Sequence, residues 1–216
     1  MKTVIIKYNA GNVQSVMYSL DRIGAAYLYM GDFEKAADSI SKALTLELNS
    51  HALSNMGVIY YYLGFYEKSI DFYQQAIRID PNNVEYFNNI ADAYVFSNNA
   101  NDLADEYFKK SLTYSEKDIR TNEFSILGYL YLSLAHLHFE RLSEASSALN
   151  KANQLDPNYP FLHYVNLRLS IIERNEAKIK LYAKKLKAGG YSEKLITADP
   201  YFSILKEKRF QDVFKE

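Results

Sequence analysis

The chain has 216 residues, 48% of them hydrophobic and 24% charged, with a formal net charge of −1. That is long enough to bury a sizeable core, and the charge balance excludes an overall electrostatic case for nucleic acid or an anionic membrane. With no cysteine at all, disulfides, thiolate metal sites and thiol nucleophiles are excluded together.

The opening Val4-Ile5-Ile6 is too short for a signal-peptide core. No stretch approaches the roughly 20 apolar residues of a membrane span, so a cytoplasmic, membrane-free protein is the expectation. Residues 1–10 read as an arm. Only four prolines and eight glycines punctuate the chain, which predicts long helices with few interruptions.

A repeat begins after the arm. Gly24-Ala25-Ala26-Tyr27 returns 33 residues later as Gly57-Val58-Ile59-Tyr60, and 34 residues after that as Ala91-Asp92-Ala93-Tyr94. Gly31-Asp32-Phe33-Glu34-Lys35 returns as Gly64-Phe65-Tyr66-Glu67-Lys68, and Ala43-Leu44 as Ala76-Ile77. Asp80-Pro81 ends one unit and Asp156-Pro157 another. The spacing predicts units over about 17–49, 50–83, 84–117 and 118–159, the third with one extra residue near Asn99 and the fourth preceded by about eight. A degenerate fifth pair follows over 160–190, ended by Gly189-Gly190. The remainder, 191–216, reads as a cap whose Phe202, Leu205 and Phe210 cover the last exposed face.

These residues match the tetratricopeptide pattern, and the chain resembles that family. Leu20, Ile23, Gly24, Tyr27, Gly31, Ala36 and Ala43 fill its signature places in unit one. Leu53, Met56, Gly57, Tyr60, Gly64, Tyr73, Ala76 and Pro81 fill them in unit two, with Ser69 at a place usually held by Ala. The resemblance implies an all-α, right-handed superhelical solenoid of antiparallel helix pairs. Each pair has apolar faces that it cannot bury alone, so neighbours stack. Gly or Ala at the helix crossing permits close backbone approach, which must offset the roughly 1 kcal/mol that a helical Gly costs against Ala. Gly31 and Gly64 are placed to end first helices in the left-handed conformation.

A second resemblance covers the start. Val4 to Val16, continuing to Gly24 and including Tyr8-Asn9-Ala10-Gly11-Asn12, is similar to the first strand, loop and helix of the glutaminase subunit of imidazole glycerol phosphate synthase. That family's activity requires a cysteine, which this chain lacks. Its helical part is expected to serve as the first helix of unit one.

No phosphate loop, nucleophile elbow or zinc-protease motif is present, and His136 and His138 lie about 200° apart around a helix. No cofactor or metal is therefore expected, and no enzyme. Lys178, Lys180, Lys184, Lys185 and Lys187 read as a solvated face. The family resemblance instead implies a concave groove lined by positions 2, 5, 6, 9, 12 and 13 of each first helix. Those positions include Arg22 and Tyr29 in unit one, Asn55 and Tyr62 in unit two, and Asn88, Asn89 and Phe96 in unit three. Asn55 and Asn89 share a position in adjacent units, and an amide offers a main chain both a donor and an acceptor. Both are expected to face solvent in the free protein, with Tyr62 and Phe96 flanking them. The family's clamp for C-terminal carboxylates is poorly matched, since Asp21, Glu85 and Asp92 would repel one.

The function implied is non-catalytic recognition of a protein or peptide. Unit four suggests an alternative. Its Phe124, Ile126, Leu127, Leu130, Leu132, Leu134 and Leu137 make the helix apolar nearly all round, as in a helix buried on more than one side. Either the C-terminal pair folds over it, or a partner or second copy covers it, as in an assembly or co-chaperone subunit.

Overall fold

The computed structural model describes residues 10–97 and 101–215. Among them are eleven α-helices and two short 3-10 stretches, with no strand. Five antiparallel pairs stack in chain order. They are α1 (Ala10–Tyr29) with α2 (Phe33–Leu46), α3 (Ser50–Tyr62) with α4 (Tyr66–Ile79), α5 (Val84–Phe96) with α6 (Asn101–Thr121), α7 (Ile126–His138) with α8 (Leu142–Leu155), and α9 (Pro160–Ile172) with α10 (Glu176–Ala188). A short α11 (Glu193–Ala198) and the 3-10 stretches Pro200–Lys206 and Lys208–Phe210 complete the chain.

Of the residues that carry the second resemblance, the described ones, 10–24, are helical and belong to α1, which packs on α2. The proposed arm otherwise lies outside the described residues, as does Asn99. The eight residues before unit four are not a loop. With no Gly or Pro to stop it, α6 runs on for 21 residues to Thr121, four beyond the boundary that repeat spacing suggests. A cap at Ser125, whose hydroxyl accepts from the Gly128 amide, then starts α7.

The first helices of units one and two end in the same way. At Gly31 (φ 73°) and Gly64 (φ 78°) the chain turns left-handed, and the next amide reaches back to a carbonyl of the preceding turn: Asp32 to Tyr27, Phe65 to Tyr60. Units four and five make the same turn without glycine, at Glu140 (φ 56°) and Arg174 (φ 53°). The stacked fold imposes that geometry there against local preference.

The crossing of α3 and α4 shows why Gly57 is small. A Cβ on it would stand 2.7 Å from the buried ring of Tyr73. Ser69 also fits at this crossing because its hydroxyl donates to the Gly57 carbonyl oxygen at 2.8 Å. Unit four uses the same device in reverse. Ser133, in the place of Gly57, donates to the carbonyl of Ala145, in the place of Ser69, at 2.9 Å.

The apolar surface of α7 is used internally. Leu130, Leu134 and Leu137 are buried with Leu162, Val165 and Leu167 of α9, so the fifth pair folds over unit four. Phe124 and Leu127 keep substantial exposure. The lysine run of α10 is exposed along its length.

Candidate functional site

The concave face is built from α1, α3, α5, α7 and α9, and part of it is already covered. The tail does more than cap the last pair. Phe202, Leu205 and Phe210 are buried in the core of units four and five, as their apolar character predicts. The segment leading to them, however, runs across the concave face back to unit one. The Ser192 amide donates to the Tyr29 carbonyl oxygen (3.0 Å), and the Tyr191 ring meets Tyr29 edge-on at 5.1 Å. On α11 the adjacent side chains Leu195 and Ile196 enter different cores. Leu195 packs with Leu28, Phe33, Met56 and Ile59 of units one and two, and Ile196 with Leu162 and Val165 of unit five. A six-residue helix thus joins the two ends of the array.

A buried polar network fixes the far end of this strap. Asp92 of α5 receives two hydrogen bonds from the Arg168 guanidinium of α9 (3.1 and 3.2 Å) and one from the Tyr201 hydroxyl (2.7 Å). The Asn88 amide nitrogen donates to it as well, at 3.3 Å. The guanidinium also lies over the Tyr201 ring, 3.5 Å from its centre. Beside it, Asp199 caps the 3-10 turn through the Tyr201 amide and accepts from the Tyr164 hydroxyl at 2.9 Å. Burial raises the Asp199 carboxyl to about 6, although Arg168 and these two donors pull the other way.

Between strap and solenoid lies a cavity of about 320 Å³. It brings together several of the residues expected in the groove. Asn55, Asn88, Asn89, Tyr29 and Tyr62 all line it, whereas Arg22 and Phe96 do not. Arg22 is exposed on unit one. Phe96 is taken up by the strap, edge-on to Tyr201 at 4.7 Å. The expectation that both ladder amides face solvent needs correcting for Asn55. It is half-buried, and its nitrogen donates to Asp21 of the preceding unit at 2.9 Å, since a partly buried amide needs a partner. Asn89 is also half-buried. Tyr62 stacks on Phe33 at 6.0 Å, so it belongs as much to the interface of units one and two as to the groove.

The repeat frame places Asp92 in the groove but does not reveal its partner Arg168. A signal existed: Asp92 and Arg168 hold the same place, the ninth residue, in α5 and α9, with opposite charges. Glu85 and Tyr131, both at groove positions of their first helices, complete the principal polar and aromatic lining.

Comparison with known proteins agrees with this architecture. Residues 57–95 match a family model described as TPR repeat, and residues 18–50 and 84–118 match one described as tetratricopeptide repeat. No curated protein matches the chain. Among solved structures, a thermophilic TPR protein from Thermus thermophilus superposes with a TM-score of 0.61 at 16% identity, covering 88% of this chain and 98% of its own. PilW, a type IV pilus biogenesis factor, gives 0.55 at 19% identity, covering 92% and 98%. Pseudomonas aeruginosa pilF gives 0.54 at 15% identity, covering 94% and 88%. At such identities the likeness is one of fold. Among the described residues no helix is long and apolar enough to cross a membrane.

Proposed function

Because the chain belongs to the tetratricopeptide-repeat family, a family of protein-interaction scaffolds, we propose that it is a non-catalytic scaffold that recognises a protein or peptide through its concave face. One observation carries the reading. That face already accommodates polypeptide, because the chain's own residues 191–201 lie across it and donate a main-chain hydrogen bond to unit one. What the strap leaves open is the cavity, with Asn55 and Asn89 on its wall from adjacent units. A partner would insert a side chain or chain end there rather than thread an extended segment along the whole groove.

The alternative, an assembly subunit working through unit four, has less behind it, since Leu130, Leu134 and Leu137 are buried by the fifth pair. The amidotransferase resemblance contributes a packing helix and no cysteine.

The test is a peptide selected from a random display library on the full chain, with its affinity measured by calorimetry. Hydrogen bonds of this kind contribute about 0.5–1.5 kcal/mol each. The Asn55→Ala, Asn89→Ala double variant is therefore expected to bind about five- to 100-fold more weakly. Unchanged affinity would place recognition elsewhere.

A further inference from the structure

The cavity wall carries one charge that the fold leaves unbalanced. Asp92 is matched by Arg168. Glu85, at the start of α5, also lines the cavity, yet no hydrogen bond or ion pair is made by its carboxylate among the described residues. Burial drives this carboxyl above its ordinary range, opposed only by His51 on the neighbouring α3. The rings of Tyr73, Tyr131, Tyr159 and Tyr191, from four separate parts of the chain, line the same cavity. An acidic group is thus set in a chamber of tyrosine rings, whose faces are themselves weakly negative.

Two further groups point to a missing partner. The Asn88 side-chain oxygen and the Tyr61 hydroxyl are buried, line the cavity and have no hydrogen-bond partner. Asn88 is 1% exposed and its nitrogen is committed to Asp92, so the idle end of the amide is the acceptor. It lies one helical turn from Glu85, on the same side of α5. Buried polar groups are ordinarily satisfied. A carboxylate, an amide oxygen and aromatic faces all favour a ligand that donates hydrogen bonds and carries positive charge.

We propose that this cavity binds an alkylammonium group, with the charged end against Glu85 and the Asn88 oxygen and the alkyl chain among the tyrosine rings. The group is either a lysine side chain presented by a partner polypeptide, which rests on the recognition reading above, or a free primary amine, which does not. A volume of about 320 Å³ accommodates either and falls at the lower end of ordinary small-ligand sites. A tetrahedral ammonium, with three hydrogens to place, suits acceptors that do not lie in one plane.

The probes are n-butylammonium, its neutral counterpart 1-butanol, and a blocked pentapeptide with one central lysine among glycines. Each is titrated at pH 7.5 into the full chain and followed by amide chemical shifts. Butylammonium is expected to move amides of α3 and α5 and to bind at least tenfold more tightly than butanol. Glu85→Gln, which keeps the shape of the side chain, is expected to lose tenfold or more of the butylammonium affinity. Binding of the lysine pentapeptide at the same amides identifies the partner side chain as the source, and binding of the amine alone identifies a free amine. Equal affinity for amine and alcohol, in a comparison that needs no variant, overturns the proposal. So does undiminished binding to a folded Glu85→Gln chain, or shifts confined to the outer surface. Should the amines fail while display-selected peptides still depend on Asn55 and Asn89, the ammonium assignment falls and the peptide reading stands.

Discussion

Removing residues 191–216 is expected to leave a chain that aggregates or melts far below the full-length protein. In an ordinary solenoid each unit contacts only its neighbours, and loss of a terminal segment is felt at one end. Here Leu195 is buried in the core of units one and two, while Ile196, Phe202, Leu205, Phe210 and Val213 are buried in that of units four and five. Burying one such side chain is worth about 1.5–3 kcal/mol. Six of them together rival the roughly 5–15 kcal/mol that separates most folded proteins from their unfolded states. The damage should also spread to both ends of the array. Circular dichroism melts with sedimentation velocity check this. A truncated chain that stays monomeric, with its transition unchanged, would show that the strap contributes nothing.

Asp92→Ala should be the most damaging single substitution in the concave face. It leaves the Arg168 guanidinium, 4% exposed, without its ion-pair partner and deprives the Tyr201 hydroxyl of its acceptor. Breaking a buried pair from one side costs about 3–5 kcal/mol, because the surviving charge remains desolvated. For a chain of this length each kcal/mol moves the melting temperature by about 2–4 °C, so a fall of about 6–20 °C is expected. The Asp92→Leu, Arg168→Met pair should lose much less, since apolar replacement of both partners removes the unpaired charge. A loss below about 1 kcal/mol for Asp92→Ala would mean a solvated surface contact. That result would remove the tie between unit three, unit five and the strap.

Much of this molecule is legible in its sequence because the repeat records local chemistry. Gly31 and Gly64 mark left-handed helix ends, and Gly57 marks a crossing with no room for a methyl group beside Tyr73. The fifth pair and the burial of Phe202, Leu205 and Phe210 follow from the same apolar periodicity. Where a unit departs from the pattern, the fold supplies what the residue does not. Glu140 and Arg174 turn left-handed because stacking holds them there, and Ser133 replaces Gly57 by finding a carbonyl. The course of the strap is different in kind. It depends on how far the solenoid has curved by unit five, a sum of small rotations that no single residue encodes. Leu195 reads as one more apolar residue of a cap until curvature brings unit one beside it. Asn55 was misjudged for a related reason, as its partner Asp21 sits 34 residues away, on the neighbouring unit.

The central claim is that the chain's own residues 191–201 lie on its concave face and join its two ends. Because the sequence has no cysteine, two can be introduced cleanly at exposed Met30 and Glu193. They adjoin the hydrogen bond between Ser192 and Tyr29. Spin labels at both sites should broaden each other's spectra strongly by dipolar coupling in the folded, monomeric protein, and the broadening should vanish in denaturant. Doubly labelled protein whose spectrum equals the sum of the two singly labelled spectra, under conditions where the chain is folded, would contradict the account.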